Sequence, residues 1–273
     1  MEWPTSVTTS ALFADFPETV FNLSGQPAWE LLNPENSSGL KQTLSKHLEQ
    51  LGSKHPDDVA FVTIDEAKGL VHVEDGAIIK PHVHLIGPCL IQSTATVRAH
   101  AYVRENTWMM QGSLLGHSSE SKHSLFLPGA KAPHFNYVGD SVLGSNVNLG
   151  AGVKLSNLRN DGGTVAIWID DERRSTGIRK FGAIIGDGTQ LGCNTVTNPG
   201  TVLGQHCMAH PNTTVSGLHA PSSVLRCGDK METLFGTDGI RVRVVLDQCD
   251  YDEAVRRIVG ERELTPQLME LLG

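Results

Sequence analysis

The sequence predicts a mainly β protein whose body is a parallel β-helix of hexapeptide repeats. Three observations carry this. An aliphatic residue returns at every sixth position through Val73, Ile79, Leu85, Ile91, Val97, Val103, Met109 and Leu115. Four places after each stands a small or β-branched residue: Ala77, Val83, Cys89, Ala95, Ala101, Thr107, Ser113 and Ser119. The rhythm resumes at Leu143, Leu149 and Leu155, and again through Ile185, Leu191, Thr197, Leu203, Ala209 and Val215. This period belongs neither to an amphipathic helix nor to simple strand alternation. It fits a solenoid whose faces are short strands and whose coils each take three hexads.

The elements follow in order. Residues 1–70 lack the rhythm and are expected to form a small helical capping segment. Pro27–Leu32 reads as a short helix, and Ser38–Leu51 as a longer one with Leu40, Leu44, Leu48 and Leu51 on one stripe. After a polar break at Lys54–Asp58, strands are expected over Ala60–Ile64 and Gly69–Val73. The β-helix spans 71–225. Within it the register slips over 121–142, where a loop is expected to emerge near Leu125–Gly129. An insertion over 158–180 reads as a protruding hairpin, from the turn chemistry of Asn160-Asp161-Gly162-Gly163 and the alternation of Thr164–Asp170. The tail, 226–273, is a short α/β segment with a turn at Thr237-Asp238-Gly239, a strand over Val242–Leu246 and a helix over Asp252–Gly260. A solenoid needs a cap at each end, so both termini are assigned that role.

Composition narrows the function classes. A chain of 273 residues holds one solenoid with small appendages, and its formal charge of −8 argues against nucleic acid or an anionic membrane as partner. The opening Met1-Glu2-Trp3-Pro4 shows no signal-peptide pattern. No apolar run reaches the roughly 20 residues that span a bilayer, so a cytoplasmic protein is expected. Cys89, Cys193, Cys207, Cys227 and Cys249 include no CxxC pair and read as reduced thiols.

A residue 18 positions on lies one coil higher, at the ordinary strand spacing of about 4.8 Å. Arg104 and Lys122 have that separation, which would stack two cations and favour an anion between them. His82 and His100 share it too, with His117 near the next coil. Three histidines around an open position would suit a catalytic zinc, although polar residues are ordinary at a coil turn.

Three further stretches are Lys131–Asp140 (Lys-Ala-Pro-His-Phe-Asn-Tyr-Val-Gly-Asp), Val147–Gly152 (Val-Asn-Leu-Gly-Ala-Gly) and Ser156-Asn157. They resemble the acetyltransferase half of the bifunctional enzymes that make UDP-N-acetylglucosamine. The similarity runs from about Gly87 to Pro211 and implies a left-handed β-helix that acetylates glucosamine-1-phosphate or a related sugar phosphate or nucleotide sugar. Acetyl-CoA would be the cosubstrate, with no metal required. On this resemblance His134 is the general base, since an attacking amine must lose a proton and imidazole titrates near about 6.5. Arg104, Lys122 and Lys180 would hold the sugar phosphate, and Tyr137, Asn148 and Asn157 the sugar ring. Glu120 falls among the same family positions. The Ala151 N–H would stabilise the thioester oxyanion, and Cys193 and Pro211 would border the coenzyme arm with Ala151. A homotrimer with substrate between neighbouring chains is implied.

The chain departs from that family in three ways. No nucleotidyltransferase signature precedes Val73, although Pro27–Leu32 looks like the linker helix that follows such a domain. Leu158 stands where the family has a sugar-contacting tyrosine, and 158–180 is inserted, as in a sister branch. Leu234–Arg241 (Leu-Phe-Gly-Thr-Asp-Gly-Ile-Arg) resembles the opening strand of phosphohexomutases, but no serine loop follows it. Two other readings stay open: a non-catalytic trimeric scaffold or partner of a separate nucleotidyltransferase, and a lipid A-type acyltransferase.

Overall fold

The computed structural model describes residues 3–56, 61–169, 172–226, 231–237 and 240–246, those beyond 226 as backbone alone. The hexads form a parallel β-solenoid with three faces, as the six-residue period predicts. Face one carries His84–Ile86, Tyr102–Val103, the start of Glu120–Phe126, the start of Tyr137–Leu143, Lys154–Leu155 and Val196–Thr197. Face two carries Val71–Val73, Cys89–Ile91, Thr107–Met109, the ends of the same two long strands, Ala183–Ile185 and Thr201–Leu203. Face three carries Thr96–Val97, Leu114–His117, Lys131–His134, Asn148–Leu149, Gln190–Leu191 and Met208–Ala209. The periodic side chains point inward and stack between coils. Leu85, Val103, Ile91, Met109, Phe126, Leu143, Leu149 and Leu203 are among the fully buried members of one continuous core. Parallel pairing in exact superposition places like residues above one another, which is why one hexad pattern suffices for every level.

The slip over 121–142 is real, but it takes another form than a loop. Glu120 pairs with Tyr102 while Ser124 pairs with Thr107. The corner between faces one and two therefore holds three residues (104–106) in one coil and two (122–123) in the next. Gly139–Asp140 repeats the shorter corner. One residue is lost per coil, so Glu120–Phe126 and Tyr137–Leu143 run round the bend as single strands. Leu125 and Phe126 lie in the ladder beside Trp108 and Met109 rather than in a loop. Asn106, His123 and Asp140 turn this corner with φ of 60°, 46° and 46°, a left-handed conformation that Asn and Asp tolerate better than most residues.

Most of the N-terminal segment lies as a coat over face two, while Thr63–Asp65 pairs with His84–Ile86 at the edge of face one. Face two alone alternates large apolar residues outward as well as inward: Leu90, Trp108, Leu125, Val142, Ile184 and Val202 are all buried. They form a second core with Phe13, Phe21, Trp29, Leu32 and the helix Leu40–Leu51. On that helix Leu40, Leu44 and Leu48 face the solenoid, while Leu51 at its end is 42% exposed. Gly52 ends the helix at φ 75° and ψ 176°, a conformation essentially reserved for glycine. Pro27–Leu32 is realised as a 3-10 turn over Ala28–Leu32. Trp108 is the coat's anchor, 5.3 Å from the Phe21 ring and 5.1 Å from that of His47. Trp108→Ala is expected to destabilise the protein by about 3–5 kcal/mol. Denaturant unfolding followed by circular dichroism checks this, and an unshifted midpoint would show that the coat adds nothing.

The 158–180 insertion forms the expected antiparallel hairpin, Ala166–Ile169 against Glu172–Ser175. It does not protrude freely. Val165, Ile167, Ile169, Ile178 and Phe181 enter the second core, with Phe181 6.0 Å from Trp29, while Trp168 on the opposite side is 62% exposed. A bridge between Leu158 and Lys180 closes its base. Residues 226–273 make a separate unit. Its described part is an antiparallel hairpin, Met231–Thr237 with Ile240–Leu246. The strand expected at Val242–Leu246 is thus longer and paired, and the helix expected at Asp252–Gly260 lies outside the described residues.

Candidate functional site

The coil geometry gathers the expected residues into two groups. The first lies along the corner between faces three and one. His134 pairs with His117, and the ladder carries this position upward to Ala151, Cys193 and Pro211. A chain of backbone hydrogen bonds follows the column: Phe135 N–H donates to His117 O (3.0 Å), Gly152 to His134 O (2.9 Å), Asn194 to Ala151 O (2.8 Å) and Asn212 to Cys193 O (2.9 Å). Carbonyls are thereby consumed, while the Ala151 N–H donates to no acceptor among the described residues. Gly150 and Gly192 flank this column because the backbone of the coil above lies too close for a Cβ. One added at Gly150 would meet Cys193 N at 2.6 Å, and one at Gly192 would meet Pro211 N at 2.5 Å.

The His134 imidazole is exposed, and it makes no side-chain hydrogen bond among the described residues. Its backbone is held more firmly. His134 N–H donates to Asn136 Oδ1 (2.9 Å), and the buried Asn136 amide donates in turn to Gly150 O (2.8 Å). Asn136 therefore ties the His134 bend to the coil that carries Ala151. Its role was hidden in the sequence because an asparagine at a turn has many ordinary uses. Asn148 lies on face three, paired between Lys131 and Gln190, and so belongs to this side of the prism.

The second group lies on face one and its far corner. Arg104 and Lys122 superpose as their spacing predicts, yet they are not a bare pair of cations. Arg104 Nη1 donates to Glu120 Oε1 at 2.7 Å, and that bond raises the guanidinium pKa further. Lys122 Nζ lies 3.8 Å from Asp140 Oδ1. Asp140 is the hub of this group. Its buried carboxylate also takes His123 Nδ1 at 2.9 Å and a short hydrogen bond from Asn157 Nδ2. A carboxylate only accepts, which places the His123 proton on Nδ1. Asn157 donates as well to the Tyr137 hydroxyl at 3.1 Å. Burial, then the charges of Asp140 and Glu120, raises the Tyr137 pKa and keeps the phenol protonated. The Tyr137 ring lies over Gly139, where an added Cβ would sit 2.4 Å from the hydroxyl. Lys180 returns from the hairpin base to a cleft that Lys122, His123 and Asp140 also line.

Other sequence readings are revised by the same geometry. His82 and His100 stack ring on ring, 5.1 Å apart and 4° from parallel, and His117 meets His100 edge-on at 5.5 Å. His117 Nδ1 is also engaged with Ala99 O at 2.9 Å. Such rings pack against each other instead of converging on one ion. Among the described residues no group of three His, Cys, Asp or Glu side chains forms a metal-ligating cluster. No helix of the described residues is long and apolar enough to cross a membrane.

Comparison with known proteins adds an independent line. No protein-family model matches the chain. A bifunctional sugar-1-phosphate nucleotidylyltransferase/acetyltransferase of Sulfurisphaera tokodaii is 36% identical over 149 residues, 55% of this chain. The bifunctional protein GlmU of Methanococcus maripaludis (strain C5) is 34% identical over 192 residues, 70% of this chain. Matches of that length must run through the repeat coils. The chain is a hexapeptide-repeat β-helix protein related to these bifunctional enzymes. It spans only 37% and 44% of their respective lengths. The solved polySia specific acetyltransferase NeuO aligns over 78% of this chain and 91% of its own, at 12% identity and a TM-score of 0.35.

Proposed function

We propose that the chain is an acyl-CoA-dependent N-acetyltransferase acting on an amino-sugar phosphate, with glucosamine-1-phosphate or a related sugar phosphate or nucleotide sugar as acceptor. The observation that carries this reading is the corner column, in which an exposed imidazole and a free backbone N–H sit one coil apart. In the reaction the acceptor amine attacks the thioester carbonyl, forming the C–N bond. His134 takes the amine proton, the Ala151 N–H meets the developing oxyanion, and the C–S bond breaks to release the CoA thiolate, which is reprotonated. Cys193 and Pro211 continue the column upward as the border of the pantetheine arm. No acyl-enzyme is required, and no metal takes part.

The phosphate would meet Arg104, Lys122 and Lys180, with Tyr137 and Asn157 against the sugar and Asn148 contributed from face three. These two groups lie on different faces of one prism, and a flat face makes a poor pocket. A neighbouring copy supplies the opposing wall in this reading, as a homotrimer, and sedimentation as a monomer would count against it. Incubation with acetyl-CoA and glucosamine-1-phosphate should release free thiol. No release across a panel of amino-sugar phosphates and nucleotide sugars would overturn the assignment.

The coenzyme border has its own test. Cys193 is exposed, whereas burial pushes the Cys89 thiol up to about 12 and also raises that of the buried Cys207. Because the thiolate is the reactive form, iodoacetamide at pH 8 is expected to modify Cys193 and spare Cys89 and Cys207. Saturating CoA should slow labelling at Cys193, read by peptide mass spectrometry. Unchanged labelling would remove Cys193 from the coenzyme path.

A further inference from the structure

A cleft of about 480 Å³ opens where the coat and the hairpin base meet the corner between faces one and two. Its size falls within the range of small-molecule sites, roughly 300–1,000 Å³. Four cations line it: Lys122 from the corner, Lys41 from the helix Leu40–Leu51, and Arg179 and Lys180 from the hairpin's return. Among the described residues, Glu35 and Asp140 are the only carboxylates that line it. Asp140 is already engaged by His123, Asn157 and Lys122. Among the described residues Lys41, Arg179 and Lys180 make no salt bridge, and Arg179 Nε donates to a neutral carbonyl, Gly162 O, at 3.0 Å. In a chain of net charge −8 this is a local excess of positive charge.

In the acceptor reading Arg104, Lys122 and Lys180 hold one phosphate, and of these Lys122 and Lys180 line the cleft. Lys41 and Arg179 exceed that need, and both come from elements outside the repeat. We propose that the cleft is a diphosphate site, with Lys122 and Lys180 taking one phosphate and Lys41 and Arg179 the second. The ligand class is a nucleoside diphosphate, carried by the acceptor or free. The inference rests on the acceptor reading only for the shared lysines, because the cation count is a property of the cleft itself.

Calorimetry of the full chain with inorganic phosphate, pyrophosphate and UDP tests it. Pyrophosphate and UDP are expected to bind at least about tenfold more tightly than phosphate, since each brings a second phosphate to the charge-assisted contacts of Lys41 and Arg179. Lys41→Ala and Arg179→Gln, both at exposed positions, should abolish that advantage while leaving phosphate binding and thermal unfolding unchanged. Equal binding of phosphate and pyrophosphate, or an advantage that survives both substitutions, would overturn the proposal. A lower KM for UDP-glucosamine than for glucosamine-1-phosphate places the diphosphate in the acceptor. UDP binding without effect on the acceptor's KM makes it a free effector of the same site. Absence of acetyl transfer with every acceptor would sink the enzymatic reading alone, because the binding comparison needs no turnover.

Discussion

His134→Ala is expected to lower CoA release about 10²–10⁴-fold, the usual contribution of a positioned general base. Its thermal unfolding should be unchanged. The two expectations separate because the imidazole is exposed and makes no hydrogen bond among the described residues, while the backbone at 134 is held through Asn136. Removing the ring deletes chemistry without opening a cavity. His134→Asn, which has polarity but no suitable basicity, should be no better than alanine. Full activity in either variant would show that the proton leaves by another route. Loss of stability alongside activity would point to a packing role instead.

Asp140→Ala carries the largest expected loss of stability around the site, about 3–5 kcal/mol, typical of removing one partner from a buried charged pair. The carboxylate is 3% exposed and receives His123 and Asn157, with Lys122 Nζ 3.8 Å away, so all three would lose this shared contact together. Alanine would also have to keep the left-handed φ of 46°, which costs a further roughly 1–2 kcal/mol. Asp140→Asn is expected to recover part of this, since the amide oxygen still accepts and asparagine tolerates the conformation. Urea unfolding of the three proteins should rank wild type, Asn, Ala. An alanine variant as stable as wild type would refute the hub.

The six-residue period made the prism legible because every level repeats the same inward requirement, and one hexad therefore predicts the next. The coat was not legible. Leu90, Trp108, Leu125, Val142, Ile184 and Val202 occupy the outward position of one face in three, so their own signal recurs every 18 residues or so and is masked by the stronger inward rhythm. The corner column was readable from motif residues, because 17- and 18-residue coils keep His134, Ala151, Cys193 and Pro211 aligned despite the insertion. The compensation of Arg104 by Glu120 was missed, although both residues were in view. Spacing shows that two cations superpose, but it does not show which way their side chains turn. The shortened corners looked like a loop because a deletion and an insertion break a period in the same way.

The coat over face two also limits how copies of this chain can meet. Among the described residues that side is covered, whereas faces one and three carry no such coat and share the corner that carries His134. A contact that set face one of one copy against face three of the next would be head-to-tail. Repeated by rotation, such a contact closes into a ring and turns the shared corners toward the symmetry axis. The N-terminal coat, which also lends Glu35 and Lys41 to the cleft beside Lys122, would then keep that third side out of such a contact.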